Sequence, residues 1–423
     1  MTDSSSKLEN LLIYRNLLHD SIVKGLQSVG SQDDPGSPYV LGARLIEWAE
    51  INQMAGNIPE NYLLSLIGTD ENIFSSVAGK AGIQAGSSLE KAAAHDVIIL
   101  TELFKAGLAS RLGSEINAIV ADYRPVGTGH SNRHGGLPNL TLLRELFVDV
   151  TKKQTPAAVV KALGQYYNRY GCGRLAGYYA FKWDAQQREL VGIEHTDPVQ
   201  LSDIIGYEYQ KAELVRNTEA FMGGKPANNV LLVGARGTGK SSSVKAVANR
   251  YAGQGLRIIE IGKAEFKQIP EIMQVLRQWG QKFIVFIDDL SFEEYEAEYK
   301  ILKSLIDGGV EVRPDNVLIY ATSNRRNLIK ETWDDREGSE LHRQDTVNEK
   351  ISLADRFGVT LFYTLPNQEE YFKMVEEIAR KHCINLPYEE LRSAALRWEM
   401  SHSGRSGRIA KQFIDYLGGN MAN

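Results

Sequence analysis

The stretch VLLVGARGTGKS limits the possible folds of this chain more than any other part of the sequence. Its last eight residues, Gly234–Ser241, follow the spacing G-x-x-x-x-G-K-[ST]. An apolar strand pattern precedes them and a helical pattern begins at Lys240, as this motif requires. Glycines let backbone N–H groups surround phosphate oxygens, and the helix N-terminus adds its positive dipole end. The sequence therefore predicts a phosphate-binding loop instead of a chance glycine-rich turn. Its expected contact residues are Gly234, Ala235, Arg236, Gly237, Thr238, Gly239, Lys240, Ser241 and Ser242.

Strand and helix patterns alternate around this loop. Short apolar runs predict the strands NVLLVG, RIIEI, FIVFID, NVLIYATS and TLFYTL. Strands that alternate with helices form a parallel sheet covered on both faces. The chain before about Tyr170 instead predicts helices, with apolar residues at helical spacing from Leu8 to Val29 and further segments at Leu41–Met54, Glu60–Val77, Ser88–Ala109, Leu140–Lys152 and Ala157–Tyr170.

These patterns divide the chain into four segments. Residues 1–172 are predicted to form a mainly helical N-terminal domain, and residues 173–200 a short linker that contains a β-hairpin. Residues 201–366 are predicted to form an αβα core with a parallel sheet, and residues 367–423 a C-terminal helical lid.

The composition argues against several classes of protein. The net charge is −5 and 43% of the residues are hydrophobic, which indicates a large core and no overall polyanion-binding surface. Cys172 and Cys383 lie far apart, so we expect neither a cysteine metal site nor a disulfide framework. The N-terminus lacks the pattern of a secretory signal, and the apolar runs are too short to cross a bilayer. We expect a cytoplasmic protein without a membrane partner.

A second apolar strand ends in two acids. FIVFIDDL, Phe283–Leu290, carries Asp288 and Asp289 at its end. Together with the phosphate-binding loop, this pattern predicts a Mg²⁺ site in which Ser241 and Asp288 contact the metal, while Lys240 reaches the β- and γ-phosphates. Helix capping is the alternative use of Asp288.

Three carboxylates compete for the activation of water. Asp289 is the first candidate, because it follows the predicted metal ligand directly. Glu293 and Glu294, at the start of the next helix, are the alternatives, and stabilisation of the helix dipole is their competing use. Asn324, at the end of the strand NVLIYATS, is expected to hydrogen-bond the water or the γ-phosphate; a turn residue is its alternative role.

Two arginines are candidates for stabilising charge in the transition state. Arg356, in ISLADRFGV, is predicted to act on the γ-phosphate of a neighbouring subunit, with an intrachain ion pair as an equally weighted alternative. Arg408, in SHSGRSGRIAKQF, is predicted to close over the phosphates from the lid. Arg405 competes with it, and a solvated basic turn is the simpler explanation of both.

The order of these motifs resembles that of the AAA+ ATPases. Gly234–Ser241 is similar to their Walker A motif, Phe283–Asp289 to Walker B, and Asn324 to sensor 1. The resemblance implies an AAA+ P-loop NTPase core with ATP and Mg²⁺ as cofactors. The family usually has a glutamate where this chain has Asp289, and the shorter side chain predicts slow turnover.

Three further segments extend the resemblance. DRFG is similar to the arginine-finger segment of branch-migration motors and clamp loaders, which implies that role for Arg356. GRIAKQF is similar to their sensor 2 helix, which implies that Arg408 is sensor 2. LSDIIGYEYQKAEL is similar to the segment before Walker A that contacts adenine, which implies base contacts for Ile204, Ile205 and Gly206.

A closer similarity is to the uncharacterised bacterial AAA+ family known as domain of unknown function 815. The stretches that carry it, between about Arg174 and the C-terminus, are DPVQLSDIIG, NNVLLVGARGTGKSSSVKA, DDLSFEE and RPDNVLIYATSNRRNLI. This similarity implies the fold and ATP binding, and it implies no substrate.

These features together predict an ATPase. We expect the protein to hydrolyse ATP and so drive conformational change or remodelling of an unknown protein or nucleic-acid partner. If Arg356 acts on a neighbour, the nucleotide-bound protein assembles as a homo-oligomer, most simply a ring. Two alternatives stay open: a nucleotide-dependent scaffold or switch with little hydrolysis, and a nucleic-acid-linked loader.

Overall fold

The structure is a computed structural model of the chain, and it divides the chain into two compact units. It describes residues 8–28, 37–126, 139–148, 155–290, 301–303, 306, 313–324, 356–402 and 404–421. The first unit comprises Met1–Lys182, Leu190–Thr196 and Arg277–Gln281, and the second comprises Trp183–Glu189, Asp197–Leu276 and Lys282–Asn423. Within the described ranges, no helix has the length and apolar character needed to cross a membrane.

The first unit consists of helices packed around one apolar cluster. Its α-helices are α1 (Ser21–Ser28), α2 (Pro38–Asn52), α3 (Ile58–Thr69), α4 (Ile73–Ala81), α5 (Ser88–Lys105), α6 (Ser114–Val120), α7 (Leu140–Phe147), α8 (Pro156–Tyr170) and α9 (Arg174–Gly177). Short 3₁₀ helices cover Leu8–Asn10, Arg15–His19 and Ala109–Leu112. Side chains that include Leu45, Phe74, Leu100, Phe147 and Leu163 are fully or almost fully buried in the cluster. The helical character predicted for this part of the chain is confirmed.

Two helices predicted in this unit are interrupted. The predicted segment Glu60–Val77 is two helices, because Asn72 caps α4. The Asn72 side chain accepts the backbone N–H of Ser75, and the Ser75 hydroxyl accepts the backbone N–H of Asn72. The pattern from Leu8 to Val29 forms two 3₁₀ turns before α1. The buried carboxylate of Asp96 accepts the backbone N–H groups of residues 12–14 at 2.7–3.1 Å. These N–H groups therefore do not form the backbone hydrogen bonds of an α-helix.

The second unit contains a parallel sheet and six long helices among its described residues. Its elements in chain order are α10 (Glu208–Met222), β3 (Val230–Gly234), α11 (Lys240–Ala252), β4 (Leu256–Ile261), α12 (Ile269–Arg277), β5 (Lys282–Ile287), β6 (Val317–Ser323), β7 (Val359–Tyr363), α13 (Gln368–Lys381), α14 (Tyr388–Ser401) and α15 (Gly407–Met421). Strands β1 (Ala180–Asp184) and β2 (Glu189–Gly192) form a hairpin through which the boundary between the units passes. Short 3₁₀ helices cover Leu201–Asp203 and Lys263–Gln268.

The strand order within the second unit brings the predicted motifs to one edge of the sheet. The order is β4-β5-β6-β3-β7, and the neighbouring strands are parallel. Strand β3 is fully buried up to Gly234 because it lies between β6 and β7. The chain then crosses from β3 past β6 and β5 to β4, and ligands of parallel sheets bind beside such a crossing, at the carboxyl ends of the strands.

The C-terminal helices form a small lid with its own core. Helices α13, α14 and α15 bury Tyr371, Phe413 and Ile414 between them. Ile205 and Tyr207, which precede α10, pack against the same cluster. The predicted fold class is confirmed: an α/β P-loop core, a C-terminal helical lid and a mainly helical N-terminal part.

Candidate nucleotide-binding site

The glycines of the loop after β3 are required by close contacts. Gly234 has φ 156°, and a Cβ atom there would lie 2.0 Å from the carbonyl oxygen of Tyr363 on β7. Gly237 has φ 79°, and its Cβ would lie 2.8 Å from the hydroxyl of Ser406. The backbone N–H of Arg408 donates to the carbonyl of Gly237 at 3.2 Å. The loop is therefore held between the sheet and the first turn of the lid helix α15.

Lys240 is the first residue of α11, and its side chain folds back over the loop. Lys240 is 5% exposed, and its ammonium group donates to the carbonyls of Gly234 and Ala235 at 2.8 and 2.7 Å. A third bond, of 3.0 Å, goes to Oδ1 of Asn324. Burial lowers the pKa of Lys240, while Asp288 and Asp289 act to raise it. A phosphate at the same place would supply the negative partner that this buried cation lacks in its carbonyl cage.

Ser241 and Asp288 lie in direct contact. The Ser241 hydroxyl donates to Oδ1 of Asp288 at 2.6 Å. A hydroxyl and a carboxylate are hard oxygen donors, and Mg²⁺ is commonly held by one or two such protein groups together with substrate phosphates. Within the described residues there is no group of three or more His, Cys, Asp or Glu side chains that would hold a metal alone. The donor set therefore fits Mg²⁺ that arrives with a nucleotide, and it does not form a dedicated metal cage.

Asp289 is held beside the metal-ligand candidate in a specific backbone conformation. Its φ is 53°, in the left-handed region that Asp tolerates better than most residues. The Asn324 amide donates to Oδ1 of Asp289, and Arg236 lies 3.8 Å from Oδ2. Because Lys240 needs an acceptor and Asp289 a donor, both contacts require the same orientation of the Asn324 amide group. Lys240, Asn324 and Asp289 thus form one continuous polar chain.

The other end of the cleft is apolar and combines the 201–207 segment with the lid. Ile204 and Ile205 line it, whereas Gly206 is not among the described residues that do. The cleft has a volume of about 710 Å³. The lining residues that sequence reasoning missed include Val199, Tyr207, Met374 and Ile378. Helical periodicity predicted α13, but it gave no sign that two of its apolar residues would face a cleft.

The two candidate arginines of the lid differ in their surroundings. Arg408 is exposed and lines the cleft together with Lys411. Arg405 instead lies 2.9 Å from a carboxylate oxygen of Glu399. Lys381, at the end of α13, also lines the cleft and donates to Oδ1 of Asp203 at 2.9 Å. The geometry therefore favours Arg408 over Arg405 as the residue that would meet a phosphate.

The remaining predicted residues are distributed as follows. The loop residues Arg236, Gly237, Thr238, Gly239, Lys240, Ser241 and Ser242 line the cleft, and Gly234 and Ala235 contribute carbonyl groups to the Lys240 cage. Arg356, just before β7, is half-buried and is not among the described residues that line the cleft. Glu293 and Glu294 lie outside the described residues.

Comparison with known proteins gives one family match and several partial relatives. Residues 176–421 match the family described as Protein of unknown function (DUF815). The replication factor C large subunit of Staphylothermus marinus is 31% identical over 91 residues, which is 21% of this chain and 21% of that protein. A probable spastin homolog of Brugia malayi is 30% identical over 159 residues, 31% of this chain and 35% of that protein. This chain therefore spans about a third or less of the length of either relative.

Among solved structures, the Thermotoga maritima RuvB Holliday junction branch migration motor is similar, with 16% sequence identity and a TM-score of 0.37. That alignment covers 53% of this chain and 66% of the other. The family match extends over more than half of the chain. The chain belongs to the DUF815 family, and its core is an AAA+ P-loop core.

Proposed function

We propose that this protein binds ATP with Mg²⁺ in the cleft between the sheet edge and the helical lid, and that it hydrolyses ATP to change the position of the lid. One observation carries the proposal: Lys240, Ser241, Asp288 and Asn324 come from three separate strand ends and meet at one point. Such a set suits the phosphates and metal of a nucleoside triphosphate, and the apolar end of the cleft suits a base.

Each polar residue has a role in this proposal. Lys240 would exchange its carbonyl partners for β- and γ-phosphate oxygens, while Ser241 and Asp288 would hold the metal. When bound, Mg²⁺ neutralises charge on the phosphate oxygens. Asn324 and Asp289 would orient the attacking water, and Asp289 would accept its proton. Arg408 would contact the γ-phosphate from the lid, so the phosphate state would determine where the lid lies.

Phosphate release by the purified protein tests hydrolysis. We expect steady-state release in the wild type and its loss in Lys240→Ala, because that substitution removes the cation held between the loop carbonyls and Asn324. Lys245→Ala is the matched control, since Lys245 lies on the same helix and is not among the described residues that line the cleft. Equal release from wild type and Lys240→Ala, at any protein concentration, would contradict the proposal.

A nucleotide-dependent switch with little hydrolysis is the second candidate. The observation that favours it is that the carboxylate of Asp289 already contacts Asn324 and Arg236. A carboxylate one methylene shorter than glutamate has less reach towards a water beside the γ-phosphate. ATP binding that reorders the lid with negligible phosphate release would favour this candidate over the ATPase.

The partner is proposed only as a macromolecule in the cytoplasm. The names of the curated relatives include a replication factor subunit, which makes nucleic acid a partner to test. The net charge of −5 argues against a broad phosphate-binding surface. Turnover that rises with added DNA and falls steeply with salt would support a loader, because contacts with phosphates release counterions.

Assembly into a ring forms part of the proposal. Arg356 is not among the described residues that line the cleft of its own chain, which is compatible with action on a neighbouring subunit. A heterologous interface of this kind repeats until the ring closes.

A further inference from the structure

The end of β6 supports the two acids that follow β5. The parallel register pairs Ile287 with Ala321, so the next residues, Asp288 and Thr322, also lie side by side. Asp288 is exposed towards the cleft, and Thr322, which also lines the cleft, is only 2% exposed. A nearly buried hydroxyl therefore supports a carboxylate that is exposed to the cleft.

The hydroxyl of Thr322 contacts both acids at once. It donates its single proton to Oδ1 of Asp288 at 2.6 Å. It also accepts the backbone N–H of Asp289 at 2.9 Å. A hydroxyl has one donor and two acceptor sites, so these two bonds are compatible and mutually fix its rotation.

The same strand end fixes the turn in which Asp289 lies. The backbone N–H of Leu290 donates to the carbonyl of Thr322 at 2.7 Å. The hydroxyl of Ser323 donates to the carbonyl of Leu290 at 2.9 Å. These bonds hold a turn whose central residue, Asp289, has a φ of 53°. The turn is therefore built on β6, and its shape does not depend on β5 alone.

We propose that Thr322 is a positioning residue for the metal and water sites, an inference that rests on the proposed binding of ATP–Mg²⁺. Its hydroxyl orients the carboxylate of Asp288 towards the metal and fixes the backbone that presents Asp289. Hydrogen-bond partners behind metal ligands orient those ligands and tune metal affinity. Asn324 differs from it in role, because the side chain of Asn324 contacts Lys240 and Asp289, whereas that of Thr322 contacts Asp288 and the backbone of Asp289.

Two substitutions separate the hydroxyl from the shape of Thr322. Thr322→Val keeps the branched shape and removes the hydroxyl, whereas Thr322→Ser keeps the hydroxyl and removes a methyl group. Ser323→Ala is the matched control, because the hydroxyl of Ser323 supports the same turn through Leu290 without touching either acid in the bonds described above.

The experiment measures the affinity of the full-length protein for a fluorescent, non-hydrolysable ATP analogue as a function of Mg²⁺ concentration. We expect Thr322→Val to need roughly tenfold to a hundredfold more Mg²⁺ for half of its effect, as is typical when a partner behind a metal ligand is lost. Affinity for the analogue in EDTA should equal that of the wild type. Thr322→Ser and Ser323→Ala should both resemble the wild type in their Mg²⁺ dependence.

Other results would contradict different parts of the inference. An unchanged Mg²⁺ dependence in a folded Thr322→Val would overturn the role of Thr322 while leaving the proposed function intact. A wild-type protein that binds the analogue equally with and without Mg²⁺ would overturn the metal site, and with it the role of Thr322. If thermal unfolding shows that Thr322→Val is not folded, Thr322→Ser decides. A raised Mg²⁺ requirement in that variant would show that the hydroxyl is not what matters, whereas a wild-type requirement would support its role.

Discussion

At the scale of single residues, Asp289 has both a chemical and a conformational reason to be an aspartate. Its left-handed backbone, with φ 53°, is a conformation in which Asp and Asn are several-fold enriched over most other residues. Its side chain accepts from Asn324 and lies near Arg236. The sequence alone identified the two neighbouring acids, but it carried no signal of the backbone conformation. The left-handed backbone of this turn is therefore one reason why the chain has Asp289 where the AAA+ family usually has a glutamate.

Substitution of Asp289 separates binding from chemistry. We expect Asp289→Asn to bind ATP with wild-type affinity and to release phosphate at least roughly a hundredfold more slowly, because an amide cannot accept the proton of water. Asn keeps the preference for the left-handed conformation, so stability should change little. Equilibrium binding and a phosphate-release assay check the two halves of this prediction.

Glu293→Gln and Glu294→Gln are the comparison variants for this assignment. Both should retain phosphate release if Asp289 is the base. Intact turnover in Asp289→Asn together with its loss in either glutamine variant would transfer the role to that glutamate.

At the scale of elements, periodicity predicted most helices and strands, and local polar contacts decided where they break. Asn72 and Ser75 form a capping pair that divides Glu60–Val77, and this signal is visible in the sequence as N-x-x-S. Asp96 shapes residues 12–14 from 82 or more positions away, which periodicity cannot reveal. Lid residues such as Met374 joined the cleft through tertiary packing, so their role followed only from the structure.

The lid is tied to the segment before α10 by a short polar latch. Lys381 donates to the carbonyl of Ser202 at 2.7 Å and to the carboxylate of Asp203 at 2.9 Å. Burial acts to raise the pKa of Asp203, but the hydrogen bond from Lys381 and a backbone hydrogen bond at Gln200 lower it overall. Since the folded pKa is lowered, the latch stabilises the fold above the ordinary aspartate pKa, and this contribution is lost as the pH falls through the folded value.

The pH dependence of unfolding tests the latch. At pH 7, Asp203→Asn should unfold at a lower urea concentration than the wild type, by a small margin because the pair is partly exposed. The difference should shrink as the pH falls below the ordinary aspartate pKa and disappear once the pH lies below the lowered folded pKa, where the carboxyl group is protonated in both states. Lys373→Met, on the exposed side of α13, is a control that should show no such pH dependence. A difference that persists unchanged at low pH would show that the latch is not electrostatic.

At the scale of the whole molecule, the candidate site is formed by segments that lie far apart in the sequence. The motifs from Gly234 to Asn324 could be predicted, because each follows a recognisable strand and parallel strands end at one edge. At the apolar end of the cleft, Ile204 and Ile205 were expected from the family resemblance, but the contribution of the lid could not be predicted, because the lid brings residues near 374–411 against the segment at 197–207. Arg356 is the residue whose role depends on more than one copy of the chain.

A mixing experiment tests action of Arg356 on a neighbouring subunit. Arg356→Ala and Lys240→Ala should each be inactive alone, the first with ATP affinity unchanged. Mixed in equal amounts, they should recover roughly a quarter of wild-type turnover, because a quarter of randomly formed head-to-tail interfaces would combine an intact Lys240 with an intact Arg356. No recovery at concentrations where the wild type assembles would favour the intrachain ion pair instead.

The most direct test of ATP binding and hydrolysis at this cleft is a single-turnover measurement with radiolabelled ATP, with the protein in excess and Mg²⁺ present. We expect the wild type and Lys245→Ala to convert bound ATP to ADP and phosphate with the same slow rate. Asp289→Asn should retain the label as ATP, and Lys240→Ala should bind none of it. Conversion by Lys240→Ala at the wild-type rate, or absence of bound ATP in the wild type, would contradict ATP binding and hydrolysis at this cleft.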